Sequence, residues 1–528
     1  MSLADGIYRL RQAAKLTQEE FGEKMGVTHQ SVQKWESGES IPSLEKVIRL
    51  ARLFHVSVDR LLFDSNLRVE EELPGNRTLF PSFESLHPWE LYSEQLDIEY
   101  RQSSEEGLVL SEYADLFRCV GKLRRGPYKT ALADVLFDLV RNARTAENYA
   151  YREPSDYPSI LQERPKQPPV FSKVQKKDFR KKVEGAWYGR ICGCLLGKPI
   201  EGIKTDEFHS FLKETGNFPL QRYLLSSDLT PERTEKYQYP LANRCYADTV
   251  ECAPSDDDTN YTVLYQKLIE EYGRNFTSAD ISKVWLARQP KNAYCTAERV
   301  AFCNFVKGYL PPDSAVYQNP YREWIGAQIR ADYFGYINPG NPEAAAEMAW
   351  RDGCVSHVKN GIYGEMFVAA MLACAPVCPD LPSIIRGGLG QIPARSRLAE
   401  GINRILTDFE QGMDSDVCFR KIHFRWDEKN EYDWCHTVSN AEIVTAALLY
   451  GGNDFGRSVC LAVQCGFDTD CNGATVGSVL GMKNGIGAIG PEWIGPVNGK
   501  LKTSVFGVET VGIEDLVART LEHTVFPD

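Results

Sequence analysis

Glycine recurs at every fourth position in EGAWYGRICGCLLGKPIEG, at Gly185, Gly189, Gly193 and Gly197, and again in GFDTDCNGATVGSVLG, at Gly473, Gly477 and Gly481. With about 3.6 residues per helical turn, such a repeat keeps to one helix face, and a face without side chains lets a second backbone lie close. Each stretch therefore predicts a helix packed more tightly than ordinary side chains permit. In a bilayer this spacing pairs membrane helices, but these segments are too polar to span one. The longest apolar run, FVAAMLACAPVC at 367–378, falls short of the roughly 20 residues a membrane helix needs. The expectation is dense helix packing in a soluble domain, with no membrane partner.

The 528 residues exceed one ordinary domain of about 100–200 residues, so two to four units are expected. Hydrophobic residues at 43% and charged residues at 25% match a folded globular protein. Fifteen cysteines, an odd number with no CxxC pair, read as reduced thiols, several of them in apolar runs (Cys374, Cys460). The opening MSLADGIYRLRQ has no apolar signal core, so a cytoplasmic location is expected. A net charge of -12 argues against sequence-blind nucleic-acid binding, which rests on neutralised phosphates. A small DNA-reading module stays compatible with it.

Residues 5–64 carry five short helical patterns. In TQEEFGEKMG, Thr17 and Glu20 have capping-box spacing, Phe21 and Met25 recur four apart, and Gly26 closes the turn. THQSVQKWESG then starts at a new cap, Thr28, and turns Val32 and Trp35 inward. Two helices joined by a short glycine turn describe a helix-turn-helix. Gln30, Ser31, Gln33 and Lys34, with His29, are left on the outer face, where amides suit adenine and a lysine suits guanine or phosphate. With Gln18 and Thr28 they form the candidate set for double-stranded DNA. RLRQAAKLTQEEFGEKMGVTHQSVQKWESGESIPSLEKVIRLARLFHVSVDRLL resembles the Cro/phage-repressor class of helix-turn-helix domains. Residues 1–65 carry nine basic and nine acidic side chains, so binding would need a clustered face and a homodimer. A bundle used only for protein contact is the competing reading.

From 66 to about 150 the pattern stays helical, with Leu110, Tyr113, Phe117 and Val120 on one stripe and Leu132, Val135, Leu136 and Leu139 on another. It reads as a helical spacer over 66–170, closed by REPSDYPSILQERPKQPPV with five prolines. The basic run KVQKKDFRKK reads as the solvated face of a helix whose Phe179, Val183 and Trp187 point inward.

Two acidic clusters follow. In APSDDDTNYT, Asp256, Asp257 and Asp258 sit at a helix start, where carboxylates complement the dipole. Capping needs one or two acids, whereas three repel one another unless a cation joins them, and oxygen ligands alone favour Mg2+, Mn2+ or Ca2+ over zinc. In GFDTDCNGATVG, Asp468 and Asp470 share one side of an extended chain and lead into the second glycine helix. A local turn, held by backbone N–H groups, competes with this metal reading.

GRICGCLLGKPIEG, SDDDT and GFDTDCNGATVGSVLG, in that order, resemble motifs of the ADP-ribosylglycohydrolase family. Between them, DGCVSHVKNGIYGEMFVAAMLA and WCHTVSNAEIVTAALLYGGNDF resemble the family's central helix and the segment before its last motif. The resemblance covers about residues 180–490. It implies an all-α domain, here 177–528, holding two Mg2+ ions between the acidic motifs, with Asp256, Asp257, Asp258, Asp468 and Asp470 as metal residues. Asp256 falls where the family has threonine, and Cys471 where a threonine ligates, which implies one metal site that is weak, differently built or selective for Mn2+. The implied activity is hydrolysis of the bond between ADP-ribose, or a related ribosyl group, and an acceptor, with Glu201, Asp257 and Asp468 as catalytic residues. Proton shuttling by carboxylates fits that chemistry. His357, Asn360, Gly361 and Gly364 are the candidate substrate contacts, their backbone N–H groups suited to a diphosphate. Two other readings stay open: a regulator that senses such a nucleotide without turnover, and hydrolysis of an unrelated nucleoside or glycoside.

Overall fold

The protein, described here by a computed structural model, is defined over residues 3–54, 87–166, 174, 176–237, 241 and 244–527. The fifth head helix and residues 167–170 of the proline-rich stretch lie outside these. The described residues form an all-α fold, as the helical patterns of the first 150 residues and the family resemblance of the remainder imply. Among the described residues the one sheet is a two-stranded antiparallel ribbon pairing Lys500–Lys502 with Thr510–Gly512. The chain divides into two compact units, Met1–Leu86 and His87–Asp528.

In the first unit, helices Leu3–Ala13, Gln18–Met25, His29–Ser37 and Leu44–Leu53 surround Ile7, Leu10, Phe21, Met25, Val32, Trp35, Val47, Leu50 and Phe54. The expected capping box is present: Glu20 N donates to Thr17 Oγ1 at 3.2 Å and Thr17 N to Glu20 Oε2 at 2.8 Å. Gly26 ends the second helix in the left-handed region at φ 60°, which costs glycine nothing. Thr28 caps the third helix, accepting from Ser31 N at 3.3 Å. Arg11, buried, donates to Glu36 at 2.6 Å and ties the first helix to the third.

The second unit is built around Lys359–Cys374, every residue of which from Asn360 onward is buried. A helix apolar on all sides can only be a core helix. Its neighbours include the second glycine helix, Thr469–Asn484, which lies antiparallel and face to face with the first, Phe179–Gly197. A Cβ placed on Gly189 would come within 2.1 Å of the Gly477 carbonyl oxygen, and one on Gly193 within 2.0 Å of the Gly473 oxygen. The reverse contacts, Gly477 on Gly189 and Gly481 on Gly185, are as short, at 2.1 and 1.9 Å. The tight packing predicted for each helix is thus met by the other. Phe179, Val183 and Trp187 are buried as expected.

Residues 87–163 also belong to this unit. Helices Leu96–Glu105, Ala114–Gly121 and Pro127–Asn142 enclose Leu96, Leu110, Phe117, Val120, Ala133, Leu136 and Val140. The stripe read on the last of these helices is offset: Leu132 and Val135 are exposed, and Ala133, Leu136, Phe137 and Val140 are buried. Both sets have helical spacing, and the buried one is chosen by the partners, among them Tyr317, whose ring packs edge-on against Phe137 at 5.3 Å. Buried ion pairs fasten the segment: Arg322 to Glu99 at 2.9 Å and Glu106 at 2.6 Å, Lys359 to Glu106 at 2.8 Å, and Arg397 to Glu153 at 2.8 Å.

Gly189→Ala is expected to destabilise the second unit by about 1–3 kcal/mol through overpacking, although alanine is the better helix former. Gly487→Ala, where an added Cβ meets nothing within 4 Å, is the control. Equal thermal midpoints for the two variants would contradict the glycine seam.

Candidate functional site

The antiparallel glycine seam sets the site. At its end a Cβ on Gly197 would touch Thr469 C at 2.3 Å, and Thr469 Oγ1 donates to Gly197 O at 3.0 Å. The residues just past the first helix, Lys198 and Glu201, therefore meet those opening the second, Asp468 and Asp470. The chain reaches Asp468 through two successive left-handed residues, Gly466 at φ 80° and Phe467 at φ 59°. Such a conformation costs a bulky residue about 1–3 kcal/mol and must be held by its surroundings. Trp434 Nε1 donates to Phe467 O at 2.5 Å, and Asp468 N donates to Asn440 Oδ1 at 3.3 Å. Asp468 and Asp470 are not in extended chain as read from the sequence: Asp468 is the cap and Asp470 lies in the first turn of Thr469–Asn484.

Asp256 caps Asp257–Tyr272, its Oδ1 accepting from Asp258 N at 3.0 Å. The capping and clustering readings of the triple aspartate therefore hold together. Lys198 Nζ forms an ion pair with Asp256. Burial works against the ionised form, but Lys198 and the cap hydrogen bond hold the Asp256 carboxyl below its ordinary value. Arg190, fully buried, bridges Asp258 Oδ1 at 3.0 Å and Asp332 Oδ2 at 2.8 Å.

Even beside Arg190, burial and then Asp256 and Asp470 hold the Asp258 carboxyl well up. Burial, then Asp256 and Asp470, push the Asp257 carboxyl well up; burial, then Asp470 and Glu201, do the same to Asp468. Glu201 is raised by Asp470 first, then by burial. Like charges this close cannot all ionise without a counter-charge. Two buried oxygens, Asp258 Oδ2 and Asp470 Oδ1, have no hydrogen-bond partner. One donor atom each from Asp258, Asp470 and Cys471 lie within 4.8 Å of one another, as do those from Cys194, Asp256 and Asp258. Uncompensated carboxylates with free oxygens turned to a common point fit a divalent cation. Cys194 and Cys471, both raised by burial and by the aspartates, fit it less well as ligands for a hard ion.

Glu201, Asp257, Asp468 and Asp470 line one pocket of about 270 Å³. Its other walls include Trp89, Trp324 and Trp434, with Glu298, Cys435 and Cys471. Asp256 and Asp258 lie behind it, on the cation-bearing side. His357, Asn360, Gly361 and Gly364 do not line this pocket. His357 is buried, with Nδ1 2.8 Å from Ser356 Oγ. Asn360 donates to Glu153 and Glu323, both at 2.8 Å, and its amide donates to Glu323 at 2.9 Å. The Gly361 amide bonds Val358 O at 2.9 Å, and Gly364 packs on Thr437 and Gln328.

In the head, Thr28, Gln30, Gln33 and Lys34 are exposed together with His29, and Ser31 is half-buried, 3.1 Å from Thr28 Oγ1. Gln18 instead donates to Glu36 Oε2 at 2.8 Å.

Several site residues were missed from sequence. Arg190 and Lys198 both lie within GRICGCLLGKPIEG. A charge inside a small-residue helix was the available signal, since a buried charge requires a partner. Trp89 carried no local signal at all.

Residues 175–524 match the model of the family described as ADP-ribosylglycohydrolase, and residues 7–61 a helix-turn-helix model. Among curated proteins, the head is 44% identical over 54 residues to the helix-turn-helix regulator YobD of Bacillus subtilis (strain 168), covering 10% of this chain and 48% of that one. It is 33% identical over 67 residues to the transcriptional activator BcrR of Enterococcus faecalis, covering 13% and 33%. The chain thus spans half or less of the length of these relatives. A solved structure titled ADP-ribosylglycohydrolase-related protein complex aligns with 66% of this chain and 98% of its own at 17% identity, with a TM-score of 0.38.

Arg190→Met strips Asp258 and Asp332 of their shared counter-charge, and removing one partner of such a buried pair costs about 3–5 kcal/mol. A denaturant midpoint unchanged from wild type would remove Arg190 from this role.

Proposed function

Because the chain belongs to the ADP-ribosylglycohydrolase family, we propose that its second unit is a divalent-metal-dependent hydrolase that releases ADP-ribose, or a related ribosyl group, from an acceptor. The observation that carries this reading is the meeting of Glu201, Asp257, Asp468 and Asp470, from three distant segments, on one pocket. Asp257, Asp258, Asp468 and Asp470 would hold the ions, Mg2+ or, with Cys471 beside them, Mn2+. Bound there, the metal supplies charge neutralisation and Lewis-acid orientation of ribose hydroxyls.

The chain's own groups account for the remainder. Glu201 is placed to move a proton between water and the departing acceptor. Asp468, held by Asn440 and by the Phe467 turn, keeps its position against the sugar. Lys198 and Arg190 fix Asp256 and Asp258, so that the first acidic segment cannot recoil from the second. The tryptophan walls exclude bulk water, which strengthens each of these interactions. The head adds double-stranded DNA as a second partner, met by the exposed face of His29–Ser37, with a homodimer supplying two such faces. Cytoplasmic location follows from this pairing of roles.

Full-length protein with Mg2+ or Mn2+ is expected to release ADP-ribose from at least one of arginine-, serine- or base-linked conjugates, and Asp468→Asn to abolish release. ADP-ribose binding without any turnover would replace the hydrolase by a sensor. For the head, Gln33→Ala and Lys34→Ala are each expected to weaken operator binding by about 1–3 kcal/mol. Unchanged gel shifts would displace the recognition helix from His29–Ser37.

A further inference from the structure

Trp89 lines the acidic pocket, yet it lies far outside the family-matched residues 175–524. It sits in a short 3-10 turn, Pro88–Glu90, and is firmly placed. Tyr321 Oη donates to its carbonyl at 2.6 Å, and the Arg299 guanidinium lies over the indole at 4.5 Å while pairing with Glu90 at 2.9 Å. The His87 ring lies nearly parallel to it at 5.8 Å. Two further indoles, Trp324 and Trp434, share the pocket, the latter with Lys204 Nζ at 4.7 Å from its ring centroid. Three indoles thus wall a small space with six carboxyl groups, those of Glu201, Asp257, Glu298, Glu431, Asp468 and Asp470.

Only certain parts of a ribosyl conjugate suit such a wall. If the acids hold the ribose that is cut, its neighbours are the diphosphate and the acceptor. A diphosphate gains nothing from indole and carboxylate walls. Adenine is separated from that ribose by the diphosphate and a second sugar, so it is not the group next to the bond that is cut. The acceptor, by contrast, is bonded directly to the anomeric carbon. An indole wall favours a flat conjugated group, which stacks on it at little entropic cost, over an aliphatic hydroxyl.

We propose that Trp89 contacts the acceptor and makes the enzyme selective for flat nitrogen acceptors, a guanidinium or a nucleobase. The inference rests on the hydrolase reading above. In the reaction, the carbon–nitrogen bond at the anomeric carbon breaks, water supplies the hydroxyl that replaces it, and the water's other proton goes to the acceptor nitrogen.

The test compares full-length wild type, Trp89→Phe and Trp89→Leu on arginine-, base- and serine-linked ADP-ribose conjugates. Wild type is expected to prefer the arginine- or base-linked conjugate over the serine-linked one in kcat/KM. Leucine keeps apolar bulk but no ring, and should raise KM for the preferred conjugate about tenfold with little change in kcat, erasing the preference. Phenylalanine should retain it. The arm that responds distinguishes guanidinium from nucleobase. A wild-type preference for the serine-linked conjugate, or a preference that survives Trp89→Leu, overturns the proposal while leaving the hydrolase intact. No turnover of any conjugate by wild type overturns both.

Discussion

Contact of glycine backbone with glycine backbone is the constraint on which the site depends. Gly185, Gly189, Gly193 and Gly197 run antiparallel to Gly481, Gly477, Gly473 and Thr469, with no side chain between the two helices along this seam. Ordinary helix pairs keep their axes about 8–10 Å apart because side chains intervene. Removing those side chains brings the end of one helix onto the start of the other, and with them Glu201 onto Asp468 and Asp470. The seam carries no chemistry itself; it fixes the distance over which the chemistry acts.

Bringing acids together creates an electrostatic problem that packing cannot solve. Lys198 holds Asp256 down, but burial keeps Asp258 and Asp332 raised in spite of Arg190; burial and then neighbouring carboxylates raise Asp257, Asp468 and Asp470, and Asp470, then burial, raises Glu201. Around this centre the frame is made of direct ion pairs. Arg322, Lys359 and Arg397 meet Glu99, Glu106, Glu153 and Glu323 in buried pairs. Breaking any one of these would leave a charge uncompensated inside the protein. Residues 87–163 are thus bound to the larger unit by groups that tolerate little displacement, which is why a tryptophan near their start can serve as a fixed wall.

What the sequence reveals here is whatever local chemistry encodes. The Thr17–Glu20 cap, the left-handed Gly26 and the four-residue glycine spacing each follow from a few neighbouring residues, and all are present in the structure. The acidic motifs were legible for the same reason, since three adjacent aspartates are costly wherever they lie. Choices made by distant partners were not legible. Leu132 and Ala133 both fit an apolar helical stripe, and only the partners across the fold select between them. Asn360 and Gly361 sit in a family motif, yet the acceptors that occupy Asn360, Glu323 and Glu153, and the Arg322 carbonyl that crowds Gly361 are remote in sequence. Trp89 reaches the pocket across some two hundred residues of chain, a relation that no spacing encodes.

Cys471 is the point where packing and charge meet. A fourth acid on this helix start would deepen the repulsion among Asp257, Asp468 and Asp470. A thiol whose proton affinity is raised by burial and by those same aspartates keeps its proton and adds no charge. It then offers a weak hydrogen bond to Asp468, one of the influences that favour that carboxylate's ionised form. A side chain that adds no charge suits a cluster whose carboxylates already outnumber Arg190 and Lys198.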